Sequence, residues 1–236
     1  STNAKALAVI VADQKVQVID LNGSLIADRF NAKSIIDVAW LDDSRIVIAH
    51  DQFVSIWDIH SDWKQSIDTG WPIDSLHANG GLLVRYENGN CVWIGPGQLA
   101  SESVKTISKS LLNAPILKMV RGPIALHPRE PILASARHHA IRLHDLRDGT
   151  LINRIEAQRH TIDCLGWNPS GDVLATSASG NVKLWDTRRS HLSSPTSLLR
   201  PIEFTFAYRH AKRMQSCAFA TNDRLIFLDK DGGHLH

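Results

Sequence analysis

One local pattern recurs along the whole chain. A run of about five to eight residues rich in Val, Ile, Leu and Trp is followed by Gly, Asn, Asp, Ser or Pro, and then by another such run. Runs of that length between turn residues read as strands, and no stretch carries a convincing helical period. The first three, at 7–12, 16–21 and 24–30, are separated by Asp13-Gln14-Lys15 and by Asn22-Gly23, the punctuation of a meander. Asn22-Gly23-Ser24 is formally a glycosylation sequon, but between two apolar runs it is more simply a hairpin turn.

The pattern groups in fours. Runs at 35–40, 45–50, 53–59 and 63–69 are followed by runs at 73–78, 82–87, 91–94 and 104–108. A further set follows at 116–126, 132–136, 141–146 and 151–157, then one at 162–167, 173–177, 182–186 and around 204–208, and a final pair at 214–220 and 225–229. The residues that close each third run, Ile19, Trp57, Trp93, His144 and Trp185, lie 38, 36, 51 and 41 positions apart. A period of about 40 with four strands per unit predicts an all-β chain, a β-propeller of four-stranded antiparallel blades. One such sheet cannot bury both of its faces, whereas neighbouring sheets cover one another. The expected blades span 7–30 in part, 34–69, 72–108, 116–157, 160–208 and 213–236 in part. That is about five to five and a half blades, against about seven in a usual ring. The expectation is one incomplete propeller domain over 1–236, with the rest elsewhere in a longer parent, left out of this sequence, or supplied by another chain.

Composition agrees with a folded protein. Of 236 residues, 43% are hydrophobic and 21% charged, so disorder, collagen and coiled coil are excluded. No apolar run approaches the roughly 18 residues that span a bilayer, and residues 1–5 lack the regions of a secretory signal. Cys91, Cys164 and Cys217 are odd in number, far apart and set in apolar runs, which suits reduced core thiols and an intracellular location, cytoplasmic or nuclear. The net charge of +2 is unevenly spread. From Met119 onward there are 16 Lys/Arg against 11 Asp/Glu, together with nine of the twelve histidines.

Four of the anchors are followed by Asp, as Ile19-Asp20, Trp57-Asp58, His144-Asp145 and Trp185-Asp186. From His160 to Arg188 the order is His160, the corner Trp167-Asn168-Pro169-Ser170-Gly171, the run Leu174-Ala175-Thr176-Ser177, and Val182-Lys183-Leu184-Trp185-Asp186. This order resembles the WD-repeat β-propeller family. In that family a His, a Ser or Thr and the Trp of one blade form a buried hydrogen-bonded chain with an Asp. The resemblance gives His160, Ser177 and Trp185 three of these structural roles, while Ser179-Gly180 stands where the Asp would be. It implies a divergent member, without cofactor or catalytic residues, that binds other proteins of a multisubunit complex.

Other chemistry finds little support in the sequence. Gly95-Pro96-Gly97 lacks the third Gly and the helix of a phosphate-cradling loop, and there is no nucleophile elbow or zincin helix. Along an extended strand His144 lies roughly 16 Å from His139, too far to share a zinc ion. No catalytic, metal or small-molecule site is expected.

Two charged groups remain as candidate partner sites. In a propeller the loops between fourth and first strands and between second and third strands emerge on one face. That face is expected to carry Arg137, His138, His139, Arg159, Arg209, His210, Lys212 and Arg213, suited to an acidic peptide, a phosphorylated segment or nucleic acid. On the opposite face, Asp145 with Arg147 and Asp186 with Arg188 are similar to the paired Asp-x-Arg motif by which many WD-repeat substrate receptors dock onto the adaptor of cullin-RING ubiquitin ligases. Trp40, Trp57, Trp93, Trp167 and Trp185 fall at repeat positions on strands and are expected in the core, whereas Trp63 and Trp71 are candidate interface anchors. The reading is therefore a non-catalytic scaffold, with a ligase substrate receptor and a nucleic-acid- or nucleosome-associated propeller as alternatives.

Overall fold

Strand Arg45–His50 shows most directly how these residues make their architecture. Its four central residues, Ile46, Val47, Ile48 and Ala49, are all completely buried, so both faces of the strand are covered. Alternate side chains enter different cores. Ile46 and Ile48 pack with Ala6, Val16, Val18, Phe30 and Trp57, while Val47 and Ala49 pack with Ile73, Leu76, Leu82, Val84 and Ile94. A period-two strand between two sheets does this naturally, and each fully buried aliphatic side chain contributes about 1.5–3 kcal/mol.

The computed structural model describes residues 6–12, 14–61, 64–79, 81–95, 116–118, 120–188, 200–207 and 214–229. All of its regular structure among those residues is antiparallel strand. The chain divides into two compact units, 1–119 and 120–236.

In the first unit, β1 (Ala6–Val11), β2 (Lys15–Asp20) and β3 (Leu25–Asn31) form a three-stranded sheet. Next in sequence, β4 (Ile35–Trp40), β5 (Arg45–His50), β6 (Phe53–Asp58) and β7 (Lys64–Asp68) form a four-stranded one. A second four-stranded sheet holds β8 (Ile73–Ala78), β9 (Leu82–Tyr86), β10 (Cys91–Ile94) and β11 (Ile116–Leu117). The second unit contains the sheet of β12 (Ile124–Leu126), β13 (Ile132–Arg137), β14 (Ala140–Asp145) and β15 (Leu151–Glu156). Beside it stands the sheet of β16 (Cys164–Trp167), β17 (Val173–Ala178), β18 (Asn181–Asp186) and β19 (Arg200–Ala207). A two-stranded sheet of β20 (Met214–Phe219) and β21 (Leu225–Asp229) completes the unit.

Several strand ends differ from the sequence expectation by a few residues, as at β16 and β19, and one expected run differs in kind. The run at 116–126 is two strands: Ile116–Leu117 pairs with β10 and closes the preceding sheet, and only Ile124–Leu126 opens the next. The break is Arg121-Gly122-Pro123. Gly122 has φ +91°, and a Cβ there would lie 2.7 Å from the Ala136 carbonyl oxygen, while Pro123 has no N–H to offer a ladder. The run at 104–108, expected as the fourth strand of that sheet, lies outside the described residues.

Trp57, Trp93, Trp167 and Trp185 are buried, and Trp40 packs half-buried against the first core. Trp71 is 59% exposed. Trp63 lies outside the described residues.

Candidate functional site

The second unit carries most of the singled-out residues, and the hairpin β13–β14 sets where they stand. Its two-residue turn, His138-His139, needs a left-handed residue, and His138 takes φ +55°. Ser179, which opens the equivalent turn of the next sheet, has φ +48° and is followed by Gly180 at φ +78°. The loop after β15 is tied to the first turn through the backbone: Ala157 N–H and Gln158 N–H donate to the His139 carbonyl, and Ile162 N–H donates to that of His138. Arg137, His138, His139, Arg159 and His160 are therefore exposed at one end of this sheet.

The charges at this end are not equivalent. His139 Nε2 stands 2.8 Å from Glu156 Oε2, and the other oxygen of that carboxylate takes Arg154 Nη2 at 2.8 Å. Among the described residues no carboxylate pairs with Arg137 or Arg159. Asp163, also in this loop, accepts from Ser179 N–H at 2.9 Å and so braces the neighbouring turn. Arg209, His210, Lys212 and Arg213 lie outside the described residues.

At the other end of β14, roughly 20 Å along a six-residue strand, stand Asp145 and Arg147. Asp145 Oδ1 accepts from the backbone N–H of Arg147 at 2.9 Å and from its Nε at 2.9 Å, while Oδ2 accepts from Nη2 at 2.6 Å. The same construction recurs one sheet on. Asp186 Oδ1 accepts from Arg188 N–H at 3.1 Å and from Nε at 2.9 Å, and Nη2 closes a third bond to Oδ2. Both guanidiniums are largely exposed, at 73% and 66%, over carboxylates that are mostly covered. The hydrogen bond from Arg147 holds the Asp145 carboxyl below the usual carboxylate range.

The buried polar chain around Trp185 differs from the expected His160, Ser177 and Trp185. The indole Nε1–H donates to Thr176 Oγ1 at 3.0 Å, and Gln158 Nε2 donates to the same oxygen at 2.9 Å. His160 is exposed. The reason is strand parity. Trp185 pairs with Leu174 across β17–β18, so Thr176 shares its face of the sheet and Ser177, though fully buried, points to the other. Gln158, two residues before His160, fills the interior position that the resemblance gave to the histidine.

His127 is a further structural residue that carried no signal in sequence. Its Nδ1 accepts from the N–H groups of Arg129 and Glu130 at 3.2 and 3.0 Å, which leaves Nε2 to donate to the Gly171 carbonyl at 3.1 Å. The ring meets Trp167 edge-on at 4.7 Å between centroids, and Trp167 Nε1 donates to the Ala125 carbonyl. These bonds fix the Trp167 to Gly171 corner against the preceding sheet.

Among the described residues no group of three or more His, Cys, Asp or Glu side chains is placed to hold a metal ion. Among the described residues no helix long and apolar enough to cross a membrane is present. What the exposed guanidinium and imidazole N–H groups at the Arg137 end can do is donate hydrogen bonds to carboxylate or phosphate oxygens.

Residues 149–186 match the family model described as WD domain, G-beta repeat. Three solved structures are similar in fold. The β-propeller domain of Myceliophteria thermophila Cps50 (Swd1) has a TM-score of 0.73 at 15% identity, over 97% of this chain and 78% of that one. Kluyveromyces lactis Hsv2 has 0.69 at 16% identity, over 95% and 74%. The C-terminal WD40 domain of Sif2 has 0.66 at 14% identity, over 98% and 65%. No curated protein matches the sequence. The fold is thus a β-propeller, and this chain spans between about two thirds and about four fifths of each propeller it resembles.

Proposed function

We propose that this chain, a WD-repeat β-propeller, is a non-catalytic platform for other proteins in a multisubunit intracellular complex, and that an acidic partner segment docks at the Arg137 end of the second unit. WD40 propeller domains generally mediate protein–protein interaction. The observation that carries the choice of surface is the contrast in charge pairing. Arg147 and Arg188 each sit in a multidentate bond with their own aspartate, whereas Arg137 and Arg159 stand exposed with no carboxylate partner among the described residues. An incoming carboxylate or phosphate therefore gains new charge-assisted hydrogen bonds at the second pair without displacing an existing one.

The test is affinity capture from the protein's own cells with an Arg137→Glu/Arg159→Glu variant beside the wild type. Loss of specific partners in the variant supports the reading, and an unchanged partner set refutes it. Partners whose capture falls steeply with salt and with nuclease treatment would make the basic end a nucleic-acid surface instead.

A second reading rests on the repeated Asp145/Arg147 and Asp186/Arg188 construction. Two exposed guanidiniums in equivalent positions on consecutive sheets support this reading, in which they would dock a cullin-RING ligase adaptor. Loss of such an adaptor in an Arg147→Ala/Arg188→Ala variant, with other partners retained, would establish it.

A further inference from the structure

Cys164 and Cys217 are far apart in sequence and side by side in the second unit. β16 and β20 are the opening strands of successive sheets and pack against each other, and the two thiols share a small apolar core with Val182, Leu184 and Leu225. Both are buried and free, and they lie in one cluster of buried side chains. Gly166 makes the approach possible. It lies two residues beyond Cys164 on the same face of β16, and a Cβ there would stand 3.2 Å from the Cys217 carbonyl oxygen and 3.6 Å from its Sγ. The missing side chain lets β20 pack closely on β16 beside Cys164.

From this juxtaposition we infer that Cys164 and Cys217 are an oxidisable thiol pair that closes to an inter-sheet disulfide, locking the β20–β21 sheet onto the β16–β19 sheet. The oxidant is a small-molecule disulfide such as oxidised glutathione. One protein thiolate attacks a sulfur of that disulfide and expels a glutathione thiolate, forming a mixed disulfide. The second protein thiolate then attacks the mixed disulfide at the protein sulfur and expels the other glutathione. Two protein thiols are oxidised, one external disulfide is reduced, and the two protons pass to the two glutathione thiolates.

The reaction has a built-in gate. The Cys164 thiol, together with burial, pushes the Cys217 thiol up, so the packed pair is a poor nucleophile. Among the described residues the β20–β21 sheet is held through β20 packed against β16, so a local opening at that contact is what uncovers the pair. Opening exposes Cys217, and reclosing presents the mixed disulfide to Cys164. Cys91, fully buried in β10 of the other unit with its thiol pushed up to about 12 by burial, is the internal control.

The experiment incubates the purified protein in a series of oxidised-to-reduced glutathione ratios, with and without a low urea concentration, followed by acid quench. Intact mass, thiol counts in denaturant and a non-reducing peptide digest are then read. The expected result is loss of two hydrogens and a fall from three free thiols to one, with the Cys164 and Cys217 peptides linked. The oxidised form should unfold at a higher urea concentration than the reduced form. Cys164→Ser or Cys217→Ala removes both the link and the urea shift and leaves Cys91 unmodified. Separate glutathione adducts without a bridge, a bridge to Cys91, or three thiols persisting in every condition would each overturn the inference. The wild-type digest decides the matter even if one variant folds poorly.

Discussion

Trp185 donates its indole N–H to Thr176 Oγ1 at 3.0 Å, and the same oxygen accepts from Gln158 at 2.9 Å, so one hydroxyl in the core satisfies donors from a strand and from a loop. Thr176→Val keeps the shape and removes the acceptor, leaving the buried Trp185 N–H unpaired and Gln158 with only its long 3.4 Å bond to the carbonyl of residue 176. The expected loss is about 2 kcal/mol or more. His160→Ala touches only an exposed side chain and should fall within about 0.5 kcal/mol of wild type. Urea denaturation of the two variants checks the ordering, and equal losses would return His160 to the buried network.

Gly171 is tied to the same corner. Its φ is +81°, and a Cβ added there would stand 2.3 Å from His127 Nε2. His127 cannot swing away, because its ring is held by three hydrogen bonds and by Trp167. Gly171→Ala should therefore cost about 3 kcal/mol, from backbone strain and overpacking together. The same substitution at Gly23, which has positive φ but open space around it, should cost only about 1 kcal/mol. Thermal unfolding of the pair separates the two terms.

How far the sequence reached depended on which kind of regularity a residue obeyed. Strands and their grouping in fours were legible because turn residues punctuate them and because a doubly covered strand such as Arg45–His50 must be apolar throughout. The split of the run at 116–126 depended on Gly122-Pro123, a signal that was present but outweighed by the apolar residues around it. Thr176 was recoverable in principle: once Trp185 is set opposite Leu174, parity puts residue 176 and not 177 beneath the indole. Gln158 and His127 were not recoverable. Their roles follow from how loops fold back on neighbouring strands, and one sequence carries no period for that.

Stability should fall on mild acidification, and His127 should account for part of the fall. Burial is the first cause holding His50, His77, His127 and His144 below the ordinary imidazole range. At His127 protonation would also remove the Nδ1 lone pair that accepts from Arg129 and Glu130. The unfolded chain binds protons that the folded chain refuses. Stability is thus complete above the unfolded value of about 6.5 and is lost as pH falls through it toward the folded values. The urea midpoint should drop between about pH 7.5 and about pH 5.5. In His127→Phe the protein is less stable at neutral pH, but the drop on acidification is smaller. An equal drop in variant and wild type would remove His127 from the account.

The charged ends predict binding effects without folding effects. Arg137 and Arg159 are exposed and make no ion pair with a described residue, so Arg137→Glu/Arg159→Glu should leave stability within about 0.5 kcal/mol of wild type. Its affinity for an acidic peptide library should nonetheless fall, and the wild-type affinity should weaken with added salt because the contacts lie at the surface. Arg147→Ala/Arg188→Ala removes guanidiniums already bonded to Asp145 and Asp186, and it should leave both the urea midpoint and the acidic-peptide affinity unchanged. Measured side by side by fluorescence anisotropy, the two variants separate the ends of β14. A loss of peptide affinity in the Arg147/Arg188 variant alone would move the acidic site to the opposite end of the sheet.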